Sequence, residues 1–493
     1  MADLHRSALS RISERINVHM HAVAVACQQP RDIAALAAFR VMLGALMCFG
    51  AWRFMRNGWI ERMYVEPEFH FKFWGFEWVT VPSEAGLYVL YWSIASSALL
   101  VALGAFYRIA IITFWCLFTY AELMDVTTYL NHYYFISLLA LIMCFLSPHR
   151  AWSVDAWLRP SLRSATLPAW QTYWLRFQVG LLYFYAGVAK FEPDWLLHAQ
   201  PLNLWLPPHS GIPVLGPYLE LTWVHFAFSW FAFLFDTTII AFMLWRRARP
   251  FAFVVILVFH YFTYLFFNIG LFPFIMVLSV LIFFEADWPR KLLSTFRFTL
   301  PATQSISNPS AKGQLITWTS RKTLYAACVV SFCIFQALMP LRHLLYPGTV
   351  LWHEQGMRFS WRVMLREKSG SLQYRVVYHS KNGGENGSER RTSLISPHQY
   401  LTEDQYREMA GQPDMILQLA HHIRDEYEQK GLAPVEVYAD SQVSLNGRLA
   451  HSMIDSSINL AQVNRGLGRA TWITEAPSEP PPLQKPLRLA LGR

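Results

Sequence analysis

Predominantly apolar runs recur along this 493-residue chain, most of them of the roughly twenty residues that cross the hydrocarbon of a bilayer and three of them, at 132–147, 251–267 and 270–285, shorter. They fall near 33–54, 86–107, 109–129, 132–147, 170–190, 221–244, 251–267, 270–285 and 324–346. Inside a bilayer the backbone must satisfy its own hydrogen bonds, so runs of this length are expected to be helices. The composition agrees: 15% of the residues are charged, against about 25% in an ordinary soluble domain. The expected fold class is a polytopic α-helical membrane protein of about nine spans, with a C-terminal α+β, β-rich soluble domain on the outer face.

Lysine and arginine fix the expected orientation. They collect before the first run (Arg6, Arg11, Arg15, Arg31), in 148–168 (Arg150, Arg159, Arg163), in 245–250 (Arg246, Arg247, Arg249) and in 286–323 (Arg290, Lys291, Arg297, Lys312, Arg321, Lys322). If these four segments lie in the cytoplasm, nine spans alternate without conflict and the positive-inside rule is obeyed. The +9 net charge therefore records inner-leaflet loops, and no nucleic-acid partner is expected. The expected location is a bacterial inner membrane, with the N-terminus cytoplasmic and the C-terminal domain periplasmic or extracellular. The six cysteines form no CxxC pair, and they read as small buried hydrophobes.

Four regions are expected: an N-terminal segment 1–32, a transmembrane domain 33–346, an outer soluble domain 347–475 and a disordered Pro-rich tail 476–493. Residues 4–20 place Leu4, Ala8, Ile12, Ile16 and Met20 on one stripe, as an interfacial helix or a solvated tail would. In the soluble domain Leu372–Tyr378 and Arg391–Ile395 read as strands. Thr402-Glu-Asp-Gln405 is a capping box, Pro413 opens a second helix, and Pro434–Ala439 reads as an edge strand. Ser444-Leu-Asn-Gly447 is a hairpin signal.

Chemistry is sought among polar residues inside the apolar runs. The run Leu175–Lys190 closes on a lysine. A lysine at a span end often snorkels to the interface as an anchor. An ionisable residue there is also a functional-site hypothesis by default, since an amine withdrawn from water can serve as a base. Under the orientation above, Asn131, His132, Lys190, His260 and Asn268 share one membrane depth. Such a set suits binding and deprotonating a lipid-soluble phenol or quinol, with the lysine as base and the asparagines and a histidine on the ring oxygens.

Several stretches then coincide with a known pattern: Leu130-Asn-His-Tyr-Tyr134, Tyr183–Trp195, His260 followed by Asn268-Ile-Gly-Leu-Phe272, Asp287-Trp-Pro-Arg-Lys291, Met339-Pro-Leu-Arg-His343 and Gly356–Trp361. With Pro413–Ile416 and Val443–Gly447, the chain resembles the vitamin K-dependent gamma-carboxylase family and its bacterial HTTM-domain relatives. The resemblance implies a gamma-glutamyl carboxylase, a carbon–carbon lyase. Reduced vitamin K (a hydroquinone or menaquinol-like quinol) is deprotonated and reacts with O₂ to give a strong base. That base removes a γ-proton from a glutamate of an exported peptide or protein; CO₂ is captured and the quinone leaves as its epoxide. By position it implies Lys190 as catalytic base and His132 as a catalytic histidine. It places His260 near the quinone, with Asn131 and Asn268 also on the cofactor, and no metal. Where the animal enzymes carry a second lysine, this chain has Ala189, and no cysteine pair matches theirs. Two alternatives stay open: a quinol epoxidase or oxidase that never carboxylates, and a non-enzymatic membrane peptide-binding protein.

Overall fold

A computed structural model describes residues 18, 21–267, 269–296, 319–380 and 389–482. All nine apolar runs fall on helices: α1 (Ala34–Arg56), α2 (Glu84–Leu103), α3 (Tyr107–Leu123), α4 (Asn131–Phe145), α5 (Trp170–Val188), α6 (Thr222–Leu244), α7 (Arg249–Phe266), α8 (Phe272–Val280) and α9 (Ser320–Leu338). Among the described residues, α1, α2, α6, α7 and Lys322–Leu345 are long and apolar enough to cross a membrane. A sixth joins them if Phe272–Phe283 and Trp288–Thr295, bent by 103°, count as one. The stripe expected at 4–20 lies outside the described residues, Val18 excepted.

Local signals set the helix ends. The Ser83 side chain accepts from Gly86 N to cap α2, which stops at Gly104 in the left-handed region, where glycine meets no Cβ penalty. A buried cation inside the helical region is satisfied by backbone. Arg40 donates to the carbonyls of Val101, Ala102 and Trp152 at 2.9, 2.7 and 2.6 Å, tying α1 to the end of α2 and to the 148–153 turn. An unpartnered guanidinium there would cost several kcal/mol, on the order of the desolvation of one ion.

The C-terminal domain is a four-stranded antiparallel sheet built from β1 (Lys368–Ser380), β2 (Glu389–Ile395), β3 (Val435–Leu445) and β4 (His451–Ser452), in the order β2-β1-β3-β4. Tyr374 pairs with Ile395 on one side and Ala439 on the other. Helices α10 (Glu403–Met409) and α11 (Pro413–Gln429) follow β2; both hydrogen bonds of the expected capping box are present at Thr402 and Gln405. Along β3 every second residue is buried, and α11 packs Ile416, Leu419, Ala420 and Ile423 into the same core.

Two expectations are corrected. The strand after Pro434 is interior, paired with both β1 and β4; Pro434 precedes the first paired residue, so its missing N–H costs no ladder bond. The edge is β2. Second, the expected tail at 476–493 is anchored through its described part: the Pro482 carbonyl accepts from Gln200 Nε2 and Asn203 Nδ2 at 3.0 and 3.1 Å.

The hairpin expected at 444–447 joins β3 to β4, with Asn446 at φ 53° and Gly447 at φ 78°, the two positive angles of a type I′ turn. It fastens the sheet to the helical region. Arg448 grips Asp194 with two bonds of 2.7 Å, and Asn446 Nδ2 adds a third at 2.8 Å. Burial works against the Asp194 anion, yet Arg448 and Asn446 hold its carboxyl below the usual range. Asp194 is four residues beyond Lys190, so the sheet is pinned beside the lysine.

Candidate active site

Tyr183 and Lys190 are seven residues apart, which returns a helix to nearly the same face. The α5 backbone ends at Val188 with a tight turn, Lys190 N donating to Gly187 O at 2.9 Å. Glu192, before Pro193, is extended, as the proline ring requires. Lys190 therefore occupies the last turn with its side chain folded back along α5. Its Nζ donates to Asp236 Oδ2 at 2.7 Å and to Ala186 O at 3.1 Å, and lies 5.3 Å from the centre of the Trp195 ring. Both partners of the ion pair are about 7% exposed, so the lysine does not snorkel.

Asp236 sits on α6. A Cβ on Gly187 would stand 2.7 Å from Thr237 N and 3.0 Å from Asp236 C. Only a residue without a Cβ lets α5 and α6 approach this closely, and that approach puts the carboxylate within reach of the amine. The aspartate has one discernible mark in the sequence: it is an acidic residue inside an apolar run, which by itself nominates a site.

From α7, His260 Nε2 lies 3.0 Å from Tyr183 Oη, while its Nδ1 is buried without a partner. Lys190, Asp236, Tyr183 and His260 line a cavity of about 380 Å³ whose remaining wall is mostly apolar, with Phe228, Phe231 and Phe259 among its aromatic rings. This size is typical of a small-molecule site. An apolar wall, an orphaned ring nitrogen and an amine fit the head of a quinol.

Asn131 and His132 open α4 and face a second cavity, of about 620 Å³. His132 is 6% exposed, with Phe272 and Tyr133 against its ring. The Asn131 amide is engaged within the protein, its Oδ1 accepting from Tyr129 Oη at 3.1 Å and its Nδ2 donating to Arg362 O at 3.4 Å. This chamber is charged where the first is apolar. Arg358, Arg362, Arg366, Glu354 and Glu408 line it beside Gln412. Burial works against ionised Glu354, but Arg366, Lys368 and Arg358 hold its carboxyl below the usual range. Burial pushes Glu408 up. Behind Glu354, burial brings Lys368 down to about 8, with Glu354 opposing.

The two chambers share a wall. Phe272, Val363 and Met364 line both, and the Phe272 ring centre is 5.7 Å from that of His132 and 5.8 Å from that of His260. The 359–364 segment that supplies this wall is unusual: Phe359, Trp361 and Met364 all have φ between 54° and 60°. Each such residue costs about 1–3 kcal/mol and persists only where its surroundings impose it. They do so here: Tyr129 Oη accepts from Phe359 N, and Arg362 reaches Glu192 at 3.3 Å and His343 at 2.9 Å. Nothing in the sequence marks these angles.

Of the residues singled out by sequence, Lys190 and His260 thus share one chamber, Asn131 and His132 share its neighbour, and Asn268 lies outside the described residues. Asp236, Tyr183 and the arginines of the second chamber were not anticipated. Among the described residues no group of three or more His, Cys, Asp or Glu is placed to hold a metal ion.

No solved structure matches the chain. The HTTM domain matches residues 28–288, which takes in α1 to α8 and all of the lysine chamber's lining except Val363 and Met364. The vitamin K-dependent gamma-carboxylase lumenal domain matches residues 321–479, from α9 through the sheet. With both domains in this order, the chain belongs to the vitamin K-dependent gamma-carboxylase family.

Proposed function

We propose that this protein carboxylates glutamate side chains of an exported peptide or protein, using a vitamin K-type hydroquinone, O₂ and CO₂, with quinone epoxide as the second product. The observation that carries the reading is the shared wall: an apolar chamber holding a lysine adjoins a charged chamber holding a histidine, with Phe272, Val363 and Met364 between them. When bound, the quinol supplies the oxygen chemistry that makes a base strong enough for a γ-proton.

The chain's own residues do the rest. Lys190 Nζ receives the proton of the ring hydroxyl. His260 Nδ1, left without a partner, accepts from or donates to a ring oxygen, oriented by Tyr183. The aromatic wall excludes the water that would quench a strong base. In the neighbouring chamber the arginines attract a side-chain carboxylate, and His132 faces the reacting carbon across Phe272. Asn131 holds the 359–364 segment in place; Asn268 keeps its expected place near the quinol. In this reading the helical region makes about nine crossings, with the N-terminus cytoplasmic and the sheet domain on the outer side of a bacterial inner membrane.

A second reading, quinol epoxidation without carboxylation, draws on one observation: three of the four arginines of the charged chamber already have partners, Arg362 in Glu192, Arg366 in Glu354 and Arg358 in Gln412. Purified protein supplied with hydroquinone, O₂, labelled CO₂ and a glutamyl peptide separates the two. Label in the peptide together with epoxide is expected. Epoxide alone supports the second reading, and neither product removes both.

A further inference from the structure

Asp236 and Lys190 are hydrogen-bonded to each other in the apolar chamber, and the consequence is geometric. A lysine nitrogen has four tetrahedral directions. One is taken by its own side chain; Asp236 Oδ2 and Ala186 O accept along two more, at 2.7 and 3.1 Å. A neutral amine has two N–H bonds to give and one lone pair to keep, so these acceptors match it. The close approach at Gly187 fixes Asp236 in that position.

We propose that Asp236 is the positioning residue of the reacting amine: together with the Ala186 carbonyl it occupies two directions of Lys190 Nζ and leaves the remaining one facing the cavity. The inference rests on the reading of Lys190 as the base. In the step it serves, an N–H bond forms at Nζ, the O–H bond of the donor hydroxyl breaks, and its electron pair stays on oxygen. Without the second acceptor the flexible side chain has other rotamers available, and a displacement near 1 Å costs about 10²-fold in rate.

The test uses the full chain in membranes, with two variants and two readouts. Asp236→Asn keeps an oxygen acceptor of the same shape; Asp236→Ala removes it. The first readout is reductive alkylation of Lys190 by propanal and cyanoborohydride, followed by mass spectrometry. It reports whether the amine faces the cavity and needs no turnover. The wild type and Asp236→Asn should label within about threefold of each other, and Asp236→Ala about tenfold more slowly or worse. The second readout is quinol turnover. Asp236→Asn should stay within about tenfold of wild type, while Asp236→Ala loses about 10²-fold in kcat with little change in the quinol KM.

Wild-type labelling that does not occur, or equal labelling in Asp236→Ala, overturns the proposal. So does an Asp236→Asn protein that labels normally but has lost 10²-fold or more in turnover, since charge rather than acceptor geometry would then be the contribution. Should Asp236→Ala fail to accumulate, Asp236→Asn alone still decides the matter. If the labelling pattern holds but no protein turns quinol over, the positioning stands and the quinol reading falls.

Discussion

The two chambers that meet at Phe272 are opposites. One has a mostly apolar wall, rich in aromatic rings, and the hydrogen-bonded pair Lys190–Asp236. The other carries four arginines, three glutamates and a histidine from both the helical region and the sheet domain. A dry wall strengthens any charge created inside it and keeps water from a strong base; a charged wall recognises an ionic side chain. Under the proposed reading the difference assigns tasks: the first chamber would generate basicity and the second would receive the group on which it acts. It also explains why two family domains are needed, since the charged chamber is completed by residues 354–412, within the lumenal-domain match.

Each task can be removed separately. Lys190→Met should have the largest effect, lowering epoxide and carboxylated product together by about 10³-fold, the size of a lost general base. Product analysis in membranes checks it, and carboxylation surviving without epoxide would break the comparison. His132→Ala should be asymmetric. Carboxylation falls about 10²-fold, while epoxide formation changes by less than about threefold; an equal fall in both would mean the chambers are not separately tasked. Arg358→Gln should be milder still. The peptide KM rises about tenfold, the loss of one charge-assisted hydrogen bond, with kcat and the quinol KM unchanged.

Much of the fold was legible because a bilayer reduces the alternatives. Every apolar run became a helix, and the capping box and the Asn446–Gly447 turn did what their side chains dictate. The strand after Pro434 was misplaced because proline marks an edge only when it lies inside the ladder. At the site, Lys190 was conspicuous as a charge closing an apolar run, but membrane depth does not give lateral position. Asn131 and His132 were expected at the depth of Lys190, yet they open on the other chamber. Asp236 was legible in principle, as an acid within α6, but its partner is 46 residues away, and only the approach at Gly187 joins them. The left-handed residues at 359, 361 and 364 were not legible: their angles are imposed by Tyr129, Glu192 and His343, which come from three other parts of the chain.

The smallest expected effect lies at the hinge between the regions. Asp194 joins the lysine-bearing segment to the β3–β4 hairpin through Arg448 and Asn446. Burial disfavours its charge, but those partners hold its carboxyl below the usual range. The sign follows from linkage. A group depressed in the folded state contributes stability that is fully present above its unfolded value, about pH 4, and is lost as pH falls through the folded value. Hydrogen exchange at residues 443–448 should therefore stay slow from neutral pH down to about 4 and quicken only below it. In Arg448→Gln the main opposing charge is gone and only Asn446 and His198 still work against burial at Asp194, so the quickening should begin at higher pH. If the two proteins quicken at the same pH, the Asp194 clamp is not what holds the charged chamber against the lysine, and the 359–364 segment must do so through Arg362 and Glu192.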